Sequence, residues 1–221
     1  MRSDTYQSKH MKSTIKYFAN YKWSKTIVKS EDMKIRLGLN NAIILPNGVD
    51  LHLFRPLDKK ECRQKLGWEW GKKYLLFVSN SDREEKNIAL TQTRINRIKI
   101  NPVELKVVYN IEHSQMLIYL DASNVLILTS KWEGSPNIVK EAMACNIPVV
   151  ATEVGDIKYL FGDSEGYYYT DPLPDRLAEK INYILDNELK PEGRQRIIDL
   201  KLDSKSIANK LIQLYQEVLS K

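Results

Sequence analysis

Several features that define other protein classes are absent from this sequence of 221 residues. It contains no uninterrupted apolar run of about twenty residues, which excludes a conventional membrane-spanning helix. Its first residues lack the apolar core of a signal peptide. Only two cysteines occur, Cys62 and Cys145, and both fall in helical patterns. We therefore expect reduced thiols, no disulfide, and a cytoplasmic protein.

Signatures of two kinds of cofactor site are also missing. The three histidines, His10, His52 and His113, are scattered along the chain without the spacing of metal ligands. No Asp-x-Asp sequence offers a paired metal site. No Gly-x-Gly-x-x-Gly follows an apolar strand, which argues against a dinucleotide-dependent oxidoreductase.

Positive charge is concentrated in one segment. Residues 1–44 contain nine Lys or Arg and three Asp or Glu, so they carry the whole formal charge of +6 and the rest of the chain is balanced. A basic stretch with interspersed aromatic residues suits an anionic membrane surface. It also suits a solvated helix whose apolar side packs on another domain, and we favour this second interpretation. No nucleic-acid module is recognisable, so nucleic acid is not an expected partner. The aromatic residues of this stretch, Lys9 to Lys25, are Tyr17, Phe18, Tyr21 and Trp23.

Short apolar runs alternate with helical patterns along most of the chain. This alternation predicts an α/β fold, a Rossmann-like parallel sheet with right-handed crossovers and helices on both faces. The strand candidates are Thr26–Lys29, Ala42–Leu45, Tyr74–Ser79, Leu105–Asn110, Val125–Thr129, Pro148–Thr152 and Gly166–Tyr169. The helix candidates are Lys59–Leu66, Asn87–Ile98, Ser114–Ala122, Pro136–Cys145, Ile157–Phe161, Pro174–Asp186, Glu192–Leu200 and Ser204–Leu219.

Pro, Asn and Gly interrupt the pattern between residues 45 and 56, which indicates a boundary. We therefore predict two parts: a short basic N-terminal segment, residues 1–45, and a Rossmann-like domain, residues 46–221.

Two carboxylates, Glu133 and Glu141, flank a helix start that is predicted to bind a ligand. They surround a Gly-Ser-Pro sequence directly after the apolar strand Val125–Thr129. Ser135 is predicted as the N-cap and Pro136 as the first helical residue. In open α/β sheets, ligands bind at the carboxyl ends of strands and on helix N-termini.

The free N–H groups of that helix start, near Asn137 and Ile138, favour an anion such as a diphosphate. Glu141 lies further along the helix, where its carboxylate would accept hydrogen bonds from a ribose. Glu133 lies on the loop, where it would accept them from a sugar hydroxyl. The stretch therefore predicts a nucleotide-sugar site.

As an ordered set, four stretches resemble the retaining, nucleotide-sugar-dependent glycosyltransferases of family 4. That family has the GT-B architecture of two facing Rossmann-like domains. The Glu-Gly-Ser-Pro-Asn form is similar to the branch found in polysaccharide and lipopolysaccharide assembly. The resemblance runs from about Ile43 to about Leu185. The four stretches are Leu45–Asp50 with Phe54–Pro56, the loop of Leu76–Asn87, the Glu-x7-Glu signature within Lys131–Ala144, and Glu153–Asp156.

The resemblance implies a role for each candidate site residue. Arg83 and Lys86 would stabilise the leaving diphosphate in place of a metal, so no metal or bound cofactor is expected. Glu133 would hold the donor sugar and Glu141 the ribose. The main chain of Ser135, Asn137 and Ile138 would meet the phosphates, and Asn110 and Ile111 the nucleotide base. Gly134 and Pro136 would be donor-binding residues of the same segment.

Four further residues are assigned to the cleft. Asn47-Gly48 is typical of a turn with positive φ, and the resemblance places it where it would also shape the acceptor side. Gly155 would permit a tight loop after the strand Pro148–Thr152, and Asp156 would touch the donor.

The resemblance covers only the donor-binding half of such an enzyme. It implies a nucleotide sugar as donor and a glycan or lipid-linked acceptor. It also implies a separate partner that supplies the N-terminal domain, and peripheral association with the inner face of a membrane. A non-catalytic or truncated nucleotide-sugar-binding module is the alternative interpretation. Hydrolysis by the two carboxylates is a minor one, because they flank a helix start near basic residues.

Overall fold

The chain folds around a five-stranded, wholly parallel sheet. The computed structural model describes residues 9–80, 82–95, 97–100, 102–170 and 174–220. The sheet has the strand order β4-β3-β5-β6-β7, and a separate two-stranded parallel sheet pairs β1 with β2. The α/β fold predicted from the sequence is confirmed. The strands are β1 (Ile27–Val28), β2 (Ile43–Ile44), β3 (Lys73–Val78), β4 (Val103–Val108), β5 (Val125–Leu128), β6 (Val149–Thr152) and β7 (Tyr167–Thr170).

Helices connect the strands, and all eight helices predicted from the sequence are present. Two 3-10 turns, Glu84–Lys86 and His113–Gln115, also lie after strands of the larger sheet. The α-helices are α1 (Lys9–Tyr21), α2 (Glu31–Leu37), α3 (Lys59–Leu66), α4 (Ile88–Ile95), α5 (Met116–Ala122), α6 (Asn137–Ala144), α7 (Ile157–Phe161), α8 (Pro174–Asp186), α9 (Gly193–Asp199) and α10 (Ser204–Leu219).

The core lies on both faces of the larger sheet because successive strand residues point to opposite faces. On one face, Leu75 and Ile127 pack in a buried cluster with Leu177 and Ile181 of α8. On the other, Leu76 and Leu126 belong to a larger cluster that is completed by residues of α5, α6, α7 and α9. Burial on both faces explains why these strands are continuous Val, Ile and Leu runs.

The chain order within the sheet creates a switch point between β3 and β5. After β3 the chain adds β4 on one side, then returns to add β5, β6 and β7 on the other. The connections of the two neighbouring strands β3 and β5 therefore diverge. In open α/β sheets a crevice forms at such a point, at the carboxyl ends of the strands. The loops that follow β3, β4, β5 and β6 all lie along this edge.

Helices α1 and α2 and the two-stranded sheet have a small core of their own, formed by Val28, Met33, Leu37, Leu39 and Ala42. No residue of α1 is buried. Its aromatic residues Tyr17, Phe18 and Tyr21, with Trp23 just after it, are instead exposed and make ring contacts among themselves. The division of the chain at residue 45 stays a prediction.

Within the described ranges, no helix is long and apolar enough to cross a membrane.

Asp121, at the end of α5, is a carboxylate that the fold buries at a cost. Only 3% of it is exposed. Its Oδ1 accepts a hydrogen bond from the Leu57 N–H at 3.0 Å, whereas Oδ2 has no partner among the described residues. Burial raises the pKa of Asp121 to about 6.

We expect Asp121→Asn to stabilise the protein at pH 7.5 by on the order of 1–2 kcal/mol. Between pH 4 and 6 the folded carboxyl binds more protons than the unfolded one, so stability falls as pH rises through this window. The amide carries no charge and keeps an acceptor for Leu57. Thermal unfolding across pH measures the effect, with the exposed Asp163→Asn as control. A stabilisation that persists undiminished at pH 4 would contradict this account.

Candidate active site

A cation–carboxylate pair bridges the switch point of the sheet. Lys86 ends the 3-10 turn after β3, and Glu133 lies on the loop after β5. The Lys86 Nζ contacts the Glu133 Oε1 at 2.5 Å, and both side chains are less than one-fifth exposed. Ser130 donates a second hydrogen bond to the same oxygen at 2.7 Å. Two residues 47 positions apart thus form one half-buried polar centre in the crevice.

Arg83 lies beside this pair, at the junction of two cavities. Its guanidinium contacts the Glu85 carboxylate at 2.6 Å but is 56% exposed, so it remains accessible to a ligand. Arg83 and Lys86 line both cavities. The first, about 540 Å³, extends toward Ser79, Tyr109 and Asn110. The second, about 850 Å³, extends past Glu133 and Ser135 to the unit formed by α1, α2, β1 and β2, and includes Lys29 and Asn47.

Glu141 is held by a histidine in the crevice. Glu141 is buried on α6, and its Oε1 lies 2.9 Å from the His113 Nε2. Burial raises the pKa of Glu141, whereas the hydrogen bond from His113 lowers it. The imidazole is 67% exposed and its ring lies 5.2 Å from that of Phe54. Glu141 therefore offers its carboxylate to a ligand only by sharing it with, or taking it from, His113.

The start of α6 differs from the prediction. The helix begins at Asn137 and Pro136 is the N-cap, because its ψ of 116° is extended rather than helical. The prediction of Ser135 as N-cap and Pro136 as first helical residue is therefore wrong. The Ser135 hydroxyl accepts a hydrogen bond from Lys140 at 3.0 Å instead. The N–H groups of the first turn, including Asn137 and Ile138, have no intrahelical partner by geometry.

The turn at Asn47-Gly48 is also built differently from the expectation. Neither residue has positive φ. Gly48 is required for space, since a Cβ there would lie 2.6 Å from the Ser204 Cα at the start of α10. The Asn47 side chain bridges two elements: its Oδ1 accepts from Lys29 at 2.8 Å, and its Nδ2 lies 3.5 Å from the Asn137 Oδ1.

Gly155 does adopt the left-handed conformation, with φ of 59°. A Cβ at this position would lie 2.5 Å from the Gly134 carbonyl oxygen, so the loop after β6 packs directly on the loop after β5. Asp156 follows in a buried position. Burial raises the pKa of Asp156 to about 6, whereas the neighbouring Ser135 hydroxyl and the charge of Lys140 lower it.

The two residues assigned to the nucleotide base lie in the loop after β4. Asn110 has positive φ and lines the smaller cavity with Arg83 and Lys86. Ile111 is half-buried and packs against the large core cluster, as does Ile138. The fold therefore brings all the candidate site residues to one edge of the sheet, and their roles stay predictions.

Sequence reasoning missed three residues of this site. The isolated position of His113 gives no sign of metal binding, but it lies three positions after Asn110, on the loop that follows a strand. Lys140 is completely buried, and only its place between Val139 and Glu141 in an otherwise apolar helical stretch hinted at this. Lys29, at the end of β1, carried no sequence signal.

Across the part of the chain that the structure describes, no three His, Cys, Asp or Glu side chains group in a way that could hold a metal ion.

Comparison with known proteins supports one family. Residues 98–200 match the family described as "Glycosyl transferases group 1". The chain is 26% identical over 210 residues to TuaC of Bacillus subtilis, which is named as a teichuronic acid biosynthesis glycosyltransferase, with 85% of this chain and 54% of TuaC covered. It is 25% identical over 182 residues to LpsB of Rhizobium meliloti, which is named as a lipopolysaccharide core biosynthesis mannosyltransferase. The match covers 65% of this chain and 52% of LpsB. The chain thus spans about half the length of the curated relatives it matches.

Solved structures share the fold. A sucrose-phosphate synthase from Thermosynechococcus elongatus superposes with a TM-score of 0.85 at 21% identity, covering 100% of this chain and 64% of that one. HepE of Anabaena, in complex with UDP and glucose, superposes with a TM-score of 0.80 at 17% identity. The superposition covers 97% of this chain and 69% of HepE. The five-stranded parallel sheet with its helices matches the C-terminal Rossmann-like domain of GT-B proteins.

Proposed function

We propose that this chain is the donor-binding half of a retaining glycosyltransferase of polysaccharide or lipopolysaccharide synthesis. The observation that carries the proposal is the Lys86–Glu133 pair, with Arg83 beside it, at the switch point of a parallel sheet. The family match and the names of the relatives support sugar transfer. Transfer would run from a nucleotide sugar to a glycan or lipid-linked acceptor.

The chemistry of transfer explains why cations are needed there. When the bond between the anomeric carbon and the diphosphate breaks, negative charge develops on the leaving phosphate. Contacts that strengthen as this charge develops accelerate the reaction. Lys86 would exchange its Glu133 partner for a phosphate oxygen, and Arg83 would add a planar fork of donors. Glu133, released in part, would orient the hydroxyls of the donor sugar.

The rest of the nucleotide would lie along the same edge. The first-turn N–H groups of α6, near Asn137 and Ile138, suit the diphosphate. Glu141 would accept hydrogen bonds from the ribose in place of the one from His113. Asn110 and Ile111 would border the base in the smaller cavity.

Thermal unfolding with UDP, GDP, ADP and their sugar conjugates tests the proposal. A ligand that binds only the folded chain, at about 100 times its Kd, stabilises it by about 2.7 kcal/mol. For a domain of this size that is a rise of roughly 5–10 °C in the melting temperature. We expect such a rise with one nucleotide family and its loss in Glu141→Ala.

The control is Glu179→Ala, which removes an exposed helical glutamate outside the crevice. It should keep the full ligand-induced rise. If no nucleotide raises the melting temperature of the unaltered chain, or if Glu141→Ala responds like the control, the assignment of the donor site is wrong.

One observation favours a second candidate function, a nucleotide-sugar-binding module that needs a separate acceptor domain. The unit of α1, α2, β1 and β2 leaves Tyr17, Tyr21 and Ile35 exposed and has only two short strands. A sheet this small is marginal by itself. Nucleotide binding without any transfer by the isolated chain would favour this function over a self-sufficient enzyme.

A further inference from the structure

Lys140 is a charged residue in a place where lysine is rarely found. It lies on α6 between Val139 and Glu141, and none of its surface is exposed. Lysine is almost never fully buried unless its ammonium is paired. Here the Nζ donates to the Asn47 carbonyl oxygen at 2.6 Å and to the Ser135 hydroxyl at 3.0 Å. These partners lie 93 and 5 positions away in the sequence, on two different loops.

Other charged groups face the same ammonium. Asp156, on the loop after β6, attracts it, as does Glu141, whereas Lys29 from the end of β1 repels it. One oxygen of Asp156, Oδ1, has no hydrogen-bond partner among the described residues. Burial lowers the pKa of Lys140 to about 8, so keeping this amine inside the protein is unfavourable for the charged form. Stability alone therefore gives a weak reason for a lysine at this position.

The position of Lys140 gives a better reason. Asn47 belongs to the Asn47-Gly48 turn that follows β2, and Ser135 belongs to the segment that leads into α6. Asp156 belongs to the loop after β6, which packs on that segment. All three surround the first turn of α6, where the unsatisfied N–H groups are. A single ammonium thus bonds to two of these loops and attracts the carboxylate of the third.

We propose that Lys140 is a positioning residue that ties the Asn47, Ser135 and Asp156 loops together, so that the N-terminus of α6 is preorganised for the diphosphate of the donor. This inference rests on the proposed function. Lys140 does not touch the ligand, and it acts through Ser135 and the main chain of Asn137 and Ile138. Preorganised donors need no rearrangement when charge arrives, which is why their placement matters for binding an anion.

The test compares Lys140→Met with the double variant Lys140→Met/Asp156→Asn, which also removes the carboxylate left without its counter-charge. Lys59→Met is the matched control. Lys59 is a partly buried lysine whose pKa is lowered to about 8 by burial, and its Nζ donates to the Ser123 carbonyl oxygen at 2.7 Å, just before β5. It thus lies at the opposite, amino edge of the sheet.

Calorimetric titration with UDP and GDP, and NMR titration with uridine and guanosine, supply the measurement. We expect both Lys140 variants to bind the diphosphate roughly 10-fold more weakly than the unaltered chain, with little change for the nucleoside. The control should bind both equally well. Equal weakening for diphosphate and nucleoside overturns the proposal. So does a double variant that regains diphosphate affinity together with its melting temperature, because the role would then be purely structural.

A second measurement keeps this inference separate from the proposed function. Amide NMR of the unliganded variants should show shifted signals and faster hydrogen exchange at Ser135, Asn137 and Ile138 in Lys140→Met but not in Lys59→Met. Unchanged amides there overturn the positioning role even if no nucleotide binds. If these amides do move while the unaltered chain binds no nucleoside diphosphate, Lys140 positions this segment and the proposed donor site is what fails.

Discussion

Replacing Lys86 with methionine is expected to weaken the binding of a nucleoside diphosphate roughly 10- to 100-fold. A hydrogen bond to a charged group contributes about 1.5–3 kcal/mol, and each 1.4 kcal/mol is a factor of ten in affinity. The substitution also leaves Glu133 without its cation at a position that is less than one-fifth exposed. Its carboxylate would then repel the phosphates. Both effects act in the same direction, which is why we expect this single change to be among the largest.

The measurement is calorimetric titration with the diphosphate that stabilises the unaltered chain. Lys158→Met is the control, since it removes an exposed lysine on α7 with the same change of charge. We expect it to bind within about twofold of the unaltered chain, because exposed charges are screened by salt. If both variants lose the same affinity for the diphosphate, the net positive charge of the protein explains the effect and a direct contact of Lys86 with the phosphates does not.

In the same experiment, Glu133→Gln distinguishes the contribution of the sugar to binding affinity from that of the diphosphate. The amide keeps the shape of the side chain, but it no longer repels the phosphates and is a weaker acceptor for sugar hydroxyls. Binding of the diphosphate should therefore be maintained or improved, while the added affinity from the sugar of a nucleotide sugar should fall. If the affinities for the diphosphate and for the nucleotide sugar change by the same factor, Glu133 does not contact the sugar and its role is limited to pairing with Lys86.

Replacing Gly155 with alanine is expected to destabilise the fold by about 2–4 kcal/mol and to abolish ligand-induced stabilisation. The left-handed φ of 59° disfavours any residue with a Cβ, by roughly 1 kcal/mol. Steric conflict adds to this, because the Cβ would lie 2.5 Å from the Gly134 oxygen and 2.9 Å from the Glu133 oxygen. Overpacking of this kind adds roughly 1–3 kcal/mol. The loop that must move carries Glu133 itself.

Gly67→Ala is a matched control in the same chain. Gly67 has a φ of 66°, but nothing lies within 4 Å of the position of its Cβ. It therefore isolates the conformational part, for which we expect about 1 kcal/mol. Urea unfolding of both variants, with and without nucleotide, gives the steric part by difference. If both variants lose the same free energy of unfolding, the close packing of the loops after β5 and β6 does not contribute to the cost of Gly155→Ala.

Much of the fold follows from local sequence patterns. Continuous apolar runs such as Val125–Leu128 are buried on both faces and could be recognised as parallel strands. Alternation with helices then implied a parallel sheet with polar residues on the loops after the strands. The gathering of Arg83, Glu133 and Gly155 at one edge follows from that rule, since the carboxyl ends of parallel strands share an edge.

The local predictions that were wrong concern single residues whose environment is set from far away. Asn47-Gly48 has the composition of a positive-φ turn, yet Gly48 is needed for the approach of Ser204. Ser135 has the composition of an N-cap, yet its hydroxyl is engaged by Lys140 while Pro136 precedes the helix. In both cases a contact that no local pattern encodes replaced the expected local geometry.

The sequence by itself determined the class of fold, the strands, eight of the ten described α-helices, and which loops carry charged residues, because backbone periodicity and side-chain burial are local properties. Only the tertiary structure decided which partners the charged side chains contact. Lys86 pairs with Glu133 across 47 positions, His113 with Glu141 across 28, and Lys140 with Asn47 across 93. The first of these contacts depends on the order of strands in the sheet, which places β3 between β4 and β5 and so brings the loops after β3 and β5 together. Strand order is a global outcome of packing, and the same local patterns are compatible with several orders.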